Sequence, residues 1–237
     1  MAKLFDKYRN VLAGIFFIMA IGFFAYGPIK DNFLHQAGDK SSQVLQHLTA
    51  DSVQAAEKAP ATYNYEDVHS ISLASVLEAN QDNTPLPAIG EIAIPEVGIN
   101  LPIVNGVSDY NLLRGAATLK EGQKMGVGNY TLASHYSPAY NETLLFAPLI
   151  NSKEGMKIYL TDLKNIYIYE ITSITLVDPT DVYVLDETGE NIVTLVTCND
   201  INAAKRRIVR GKLKDIKPVD GASKELTDVF QTPVKTY

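Results

Sequence analysis

Three kinds of side chain in this sequence could together carry out acyl transfer: a thiol, an imidazole and a guanidinium. Cys198 is the only cysteine among 237 residues. It closes the alternating apolar run Asn191-Ile192-Val193-Thr194-Leu195-Val196-Thr197, which has the period and the branched residues of a β-strand. A thiolate attacks a carbonyl carbon, an imidazole moves the proton, and a guanidinium holds developing negative charge. With an ordinary pKa of about 8.5, only a small fraction of a free thiol is thiolate near neutral pH. A nearby cation, either the imidazolium of His135 or the guanidinium of Arg206, favours the thiolate. Arg206 and Arg207 are adjacent, so strand alternation lets only one of them face the site, and the other faces solvent or a surface carboxylate. Against this stands the plain alternative that a lone cysteine is a small, inert core residue.

His135 sits where the run Tyr130 to Ser134 ends, just before Ser137-Pro138. Polar residues at strand ends lie at a rim, where a site can form. Of the other histidines, His35 and His47 fall in an N-terminal stalk and His69 in a helix before the strand-rich region. A hydrogen-bonded surface histidine is the competing reading. One His and one Cys fall short of the three or four ligands of a usual metal site, so none is expected.

The elements that must position these groups begin at Gly90. Glu91–Ile94, Leu101–Val104, Asn129–Ala133, Met156–Leu160, Ile166–Ile174, Val193–Thr197 and Ile208–Leu213 are short apolar or alternating runs bounded by Pro, Gly or Asn. Only Tyr110–Arg114 and Glu142–Ile150 look helical within them. Seven or eight strands with few helices predict an all-β barrel or sandwich, and closure removes exposed edges. Upstream, Ser41 to Lys58 has helical spacing with a thin apolar face. Asn64-Tyr65-Glu66-Asp67 offers a capping signal for a second helix through Leu77.

The extreme N-terminus is different again. Val11 to Tyr26 carries no charge, and Gly27-Pro28-Ile29 extends it to a length that crosses a bilayer as a helix. Lys3, Lys7 and Arg9 precede it against one acid, Asp6, which places the N-terminus in the cytoplasm and the bulk of the chain outside. A cleaved signal peptide is the alternative, but no small-x-small site follows the apolar run directly. The expected organisation is a cytoplasmic N-terminus over 1–10, an anchor over 11–29 and an extracellular stalk with a helix over 30–83. The barrel follows over 84–218 and a peripheral tail over 219–237. A net charge of −6 without a basic stripe excludes nucleic acid as a partner.

Taken together, these motifs resemble a known family. Thr194-Leu195-Val196-Thr197-Cys198 matches the TLxTC signature of the sortases, membrane-anchored cysteine transpeptidases of Gram-positive bacteria. Eight positions on, where that family starts a strand with arginine, stands Arg206. His135, in Leu132-Ala133-Ser134-His135, resembles the family's histidine, with Ser134 where glycine is more usual. Leu145–Leu149 and Pro179–Asp186 are similar to class A segments. The resemblance implies an eight-stranded sortase-type β-barrel with short helices. It also implies cleavage of an LPxTG-type sorting signal between Thr and Gly through a thioacyl intermediate, and transfer to an amine of a lipid II-type peptidoglycan precursor. Cys198, His135 and Arg206 would be catalytic. By motif position, Ala133, Val182, Val184, Leu185, Val196 and Thr197 would bind the signal. Barrel core is the alternative for each of the first five.

Some members bind calcium through upstream acids and a glutamate at the position of Glu187. Here Lys120 to Val127 holds one acid where several hard oxygen ligands are needed, so no calcium and no other cofactor is expected. Two other readings stay open. One is a pilin-polymerising class C-like sortase, which usually carries a lid and a C-terminal membrane helix, whereas this chain has no hydrophobic tail. The other is a non-catalytic anchored surface domain with Cys198 inert.

Overall fold

The computed structural model describes residues 2–65, 68, 72–82, 84–136, 144–200 and 203–231. The first helix, α1 (Ala2–Gln46), runs without a break through Pro28. Its span Val11–Ile29 is 19 residues long with a mean hydropathy of 2.0, and none of it is buried against the rest of the protein. That length and composition suffice to cross a bilayer. Beyond it, the polar stretch expected as a stalk continues the same helix, and α1 packs on a strand and two short helices of the domain described below.

Helix α2 (Ala50–Lys58) starts afresh because Thr49 caps it, with a reciprocal bond from Ser52, and it buries Val53 and Ala56. The third helix corrects the sequence expectation. Instead of starting near Asn64, α3 spans Leu73–Gln81 and is capped by Ser72, whose side chain accepts from the Ser75 amide. The Ser-x-x-Ser box satisfies two otherwise orphaned amides. Glu66 and Asp67 of that earlier signal lie outside the described residues.

The strand region folds as a closed barrel in the order β1-β2-β3-β4-β7-β8-β6-β5. The strands are β1 (Ala88–Ile94), β2 (Ile99–Val104), β3 (Ala116–Thr118), β4 (Asn129–Ala133), β5 (Lys157–Thr161), β6 (Asn165–Val177), β7 (Ile192–Cys198) and β8 (Arg206–Pro218). β2–β3 and β4–β7 pair parallel and the remaining neighbours antiparallel. β3 is absent from the sequence reading because three residues, all buried, show no alternation. β8 outruns its expected end at Leu213 because its far half is exposed and polar, and pairing with β6 holds it in line.

Fully buried Ile92, Ile103, Tyr130, Leu132, Tyr169, Val193, Leu195 and Val209 fill the barrel. A second apolar cluster of Val107, Leu112, Ala117 and Leu119 lies on the outer side of β3 and β4. Helix α4 (Asp109–Arg114), capped by the Ser108 hydroxyl, supplies its Leu112. The expected helix over Glu142–Ile150 is, in its described part, a 3-10 turn at Ala147–Asn151 with Pro148 in its first turn. The tail is less peripheral than expected. A short helix α5 (Lys224–Asp228) leads to Phe230, whose carbonyl accepts from Asn100 Nδ2 of β2 at 2.8 Å.

Candidate active site

Alternation along β7 decides which way the thiol points. Val193 and Leu195 belong to the barrel interior, so Val196 and Cys198 lie on the opposite, outer face. On β8 the partner of Cys198 is Arg206, and the partner of Thr197 is Arg207. Residues directly opposite in an antiparallel pair share a face. Arg206 and Ile208 therefore stand on the Cys198 side, while Val209 enters the core. Arg207 turns away and donates to Asn199 Oδ1 at 2.9 Å. The two arginines, indistinguishable by composition, separate by parity alone.

His135 arrives from β4, which runs parallel to β7 with Ala133 opposite Val196. Two positions beyond Ala133, His135 keeps the same outward parity. Its backbone is pinned on both sides, its amide donating to Leu112 O at 3.4 Å and its carbonyl accepting from the Phe146 amide at 3.3 Å. Ser134 is buried; its hydroxyl donates to Leu112 O at 3.3 Å and its carbonyl accepts from Thr197 Oγ1 at 3.0 Å. Thr197 thus ties the ends of β4 and β7 together, a positioning use of its hydroxyl.

Ser134, His135, Thr197, Cys198, Ala203 and Arg206 line a cavity of about 150 Å³. A second cavity of about 270 Å³ adjoins it, lined by Ala133, Val182, Val184, Leu185, Val196 and Ile208 among others. The two share Val68, Leu112, Ala133, Val196 and Arg206 as a common wall. Every residue that the resemblance assigned to catalysis or to the signal thus borders one cavity or the other. Val184 is buried, whereas Val182 is 64% exposed and forms only the rim.

The wall of the larger cavity is held by residues that the sequence did not single out. Asn129, fully buried at the start of β4, donates through Nδ2 to Val184 O at 3.1 Å and Asp186 O at 2.9 Å, and accepts from Thr194 Oγ1 at 2.7 Å. Arg210 Nη2 donates to the same Val184 carbonyl at 3.1 Å. A buried asparagine opening a strand is the one sequence signal that could have marked this brace.

Burial pushes the Cys198 thiol above its ordinary pKa; Arg206 pulls it down and Asp200 pushes it up. Desolvation is the largest of these influences, and it works against the guanidinium beside the sulfur. Arg206 Nη1 donates to Ala203 O at 2.9 Å, which orients the guanidinium over the cavity.

Glu187 follows the Val182–Asp186 segment; its Oε1 meets Lys120 Nζ at 2.6 Å and its Oε2 accepts from the Asn129 amide at 2.8 Å. These bonds hold its carboxyl below the usual range. Gly128, at φ +60°, passes so close that a Cβ there would lie 2.3 Å from Glu187 Oε2. The Lys120 ammonium fills the place that a cation on Glu187 would take. Among the described residues, no three or more His, Cys, Asp or Glu side chains group in a way that could hold a metal ion.

Comparison with known proteins gives the family. The Sortase domain family model matches residues 92–214. Sortase A of Streptococcus agalactiae is 36% identical over 230 residues, covering 95% of this chain and 92% of that protein. Sortase A of Listeria monocytogenes is 34% identical over 188 residues, 79% of this chain and 83% of that one. The crystal structure of Listeria monocytogenes sortase A superposes with a TM-score of 0.56 at 40% identity, covering 60% of this chain and 96% of the other. Sortase C-3 of Streptococcus pneumoniae, at 17% identity and a TM-score of 0.59, shares the fold. The chain belongs to the sortase family of transpeptidases, and within it to class A.

Proposed function

We propose that the chain anchors surface proteins to the cell wall by a cysteine-dependent transpeptidation of LPxTG-type sorting signals. The observation that carries this reading is the Cys198–Arg206 register pair facing one cavity with His135, beside an apolar cavity fit for a Leu-Pro pair. Ala133, Val184, Leu185 and Val196 would receive the apolar residues, with Val182 at the rim. Thr197 would hold the β4 and β7 ends in register, so that the Thr–Gly bond of the signal reaches the sulfur.

In the reactive form the Cys198 proton has passed to His135. The thiolate adds to the threonine carbonyl carbon, and the oxygen takes up the negative charge within reach of the Arg206 guanidinium. Collapse breaks the C–N bond, His135 gives its proton to the departing glycine amine, and a thioester remains. An amine of a peptidoglycan precursor then attacks the thioester. His135 accepts the amine's proton, the Cys198 thiolate leaves, and a new amide is made. The Val11–Ile29 span would hold the enzyme in the membrane, with Lys3, Lys7 and Arg9 on the cytoplasmic side and the barrel outside.

The test is cleavage of a fluorogenic LPxTG peptide and its transfer to oligoglycine by the full chain in detergent micelles. Cys198→Ala should abolish both the fluorescence gain and the ligated product. Turnover that survives this substitution would exclude the mechanism.

A further inference from the structure

We propose that Arg114 is a positioning residue for His135, acting through the backbone carbonyl of Leu112. The inference rests on His135 carrying protons in the way just described.

Helix α4 is only six residues long, and the last carbonyls of a helix find no partner inside it. The Leu112 carbonyl is one of these. It accepts from the His135 amide at 3.4 Å and from the Ser134 hydroxyl at 3.3 Å, so the place of α4 decides where β4 delivers the imidazole. Cys198 and Arg206 do not depend on α4, because the pairing of β7 with β8 sets them. A shift of α4 therefore moves the proton carrier away from a thiol and a guanidinium that stay in place.

The helix is itself held from several sides. Buried Asn111 donates through Nδ2 to Asn105 O at 3.1 Å and to Gly106 O at 2.8 Å. Just past the helix end, Gly115 passes β2 so closely that a Cβ there would lie 2.5 Å from Pro102 O. The Arg114 carbonyl accepts from the Ser41 hydroxyl of α1 at 2.5 Å. The remaining tie is the Arg114 side chain. It is 5% exposed and folds back along its own helix over the Tyr110 ring, with Cζ 4.9 Å from the ring centroid. Its Nη1 donates to the Tyr110 hydroxyl, which donates in turn to Thr84 O at 2.7 Å, while its Nε has no partner. A guanidinium taken out of water is destabilising unless it is well engaged, and here a single tyrosine engages it. Arg114 and Tyr110 thus form one clasp that fastens α4 to the segment entering the barrel.

The test compares the full-length chain in detergent micelles with Arg114→Met and the milder Tyr110→Phe, reading KM and kcat for the fluorogenic peptide. Arg114→Met should lower kcat by about tenfold or more with KM held within about twofold, the size expected when a catalytic group is displaced by part of an ångström. Tyr110→Phe should lower kcat by about threefold, as for the loss of one hydrogen-bonded link. An aryl thioester of the same signal, whose thiolate leaves without a proton, should be slowed by a smaller factor in its acylation burst. Hydrogen exchange followed by mass spectrometry should quicken at the His135 amide in both variants, while β7 and β8 keep their protection. A raised KM with kcat unchanged would make α4 a wall of the groove and overturn the proposal, as would equal losses on peptide and thioester. Unchanged exchange at His135 would overturn it too. If the parent chain cleaves no peptide, the functional reading fails, while the exchange rates still decide whether the clasp holds the His135 backbone.

Discussion

Glu91 permits a quantitative forecast. Its side chain is buried on β1 with Oε1 unpartnered, and burial raises its pKa from 4.5 to about 8, a hydrogen bond from Asn100 only partly offsetting this. The folded state therefore holds a proton that the unfolded chain releases near pH 4.5. An acid whose pKa is raised on folding contributes its full stability below the unfolded pKa, and loses it as pH rises toward the folded value. Between pH 5 and pH 8 the loss from this one group is about 3 kcal/mol, at ~1.4 kcal/mol per unit. Glu91→Gln keeps the shape of the protonated acid and removes the titration. The stability difference between Glu91→Gln and the parent chain should accordingly grow by about 3 kcal/mol in the variant's favour across that interval. Urea unfolding in detergent micelles, followed by circular dichroism and tyrosine fluorescence, reads it directly. A difference that stays flat with pH would refute the buried, protonated carboxyl.

Arg206→Ala should lower kcat/KM for the sorting peptide by about a hundredfold or more, the usual cost of losing an oxyanion donor. Arg207→Ala should change it less than about threefold, because Arg207 engages Asn199 instead of the cavity. The reverse ranking would mean that the β7–β8 register is off by one. Iodoacetamide labelling of Cys198 should reach half its maximal rate at a pH above that of an exposed cysteine peptide, and Arg206→Ala should move this midpoint higher still. A midpoint below that of the peptide would show that the cation, and not burial, dominates. Calcium added to chelator-treated enzyme should leave turnover unchanged, since Lys120 already neutralises Glu187. A calcium-dependent gain would contradict that reading.

The local pattern carried much of the architecture. Asn129–Ala133 and Ile192–Cys198 are buried on both faces, but polar Asn129, Thr131 and Thr194 alternate with the apolar residues that fill the barrel, and that period is written into the sequence. Charge-free Val11–Ile29 was legible for a different reason, since a bilayer demands composition and length and no partner. The Thr194–Cys198 motif and the eight-residue step to Arg206 were visible because both lie on neighbouring strands of one antiparallel pair. By contrast, Ala116–Thr118 was too short and too buried to show a period, and the α3 start depended on a Ser72–Ser75 capping box that a stronger-looking acidic signal masked.

What no one-dimensional pattern contains is which surfaces meet. Adjacent Arg206 and Arg207 have the same chemistry, and only pairing opposite Cys198 and Thr197 sends one to the cavity and the other to Asn199. Motif spacing puts a cation near Cys198, whereas the burial that pushes the thiol upward against it comes from the depth of the cavity. Asn129 became a brace for the Val184–Asp186 backbone because the barrel brings together segments more than fifty residues apart. Residue types and spacing determined the chemistry available to this protein; closure of the barrel determined which groups share a face, and how dry that face is.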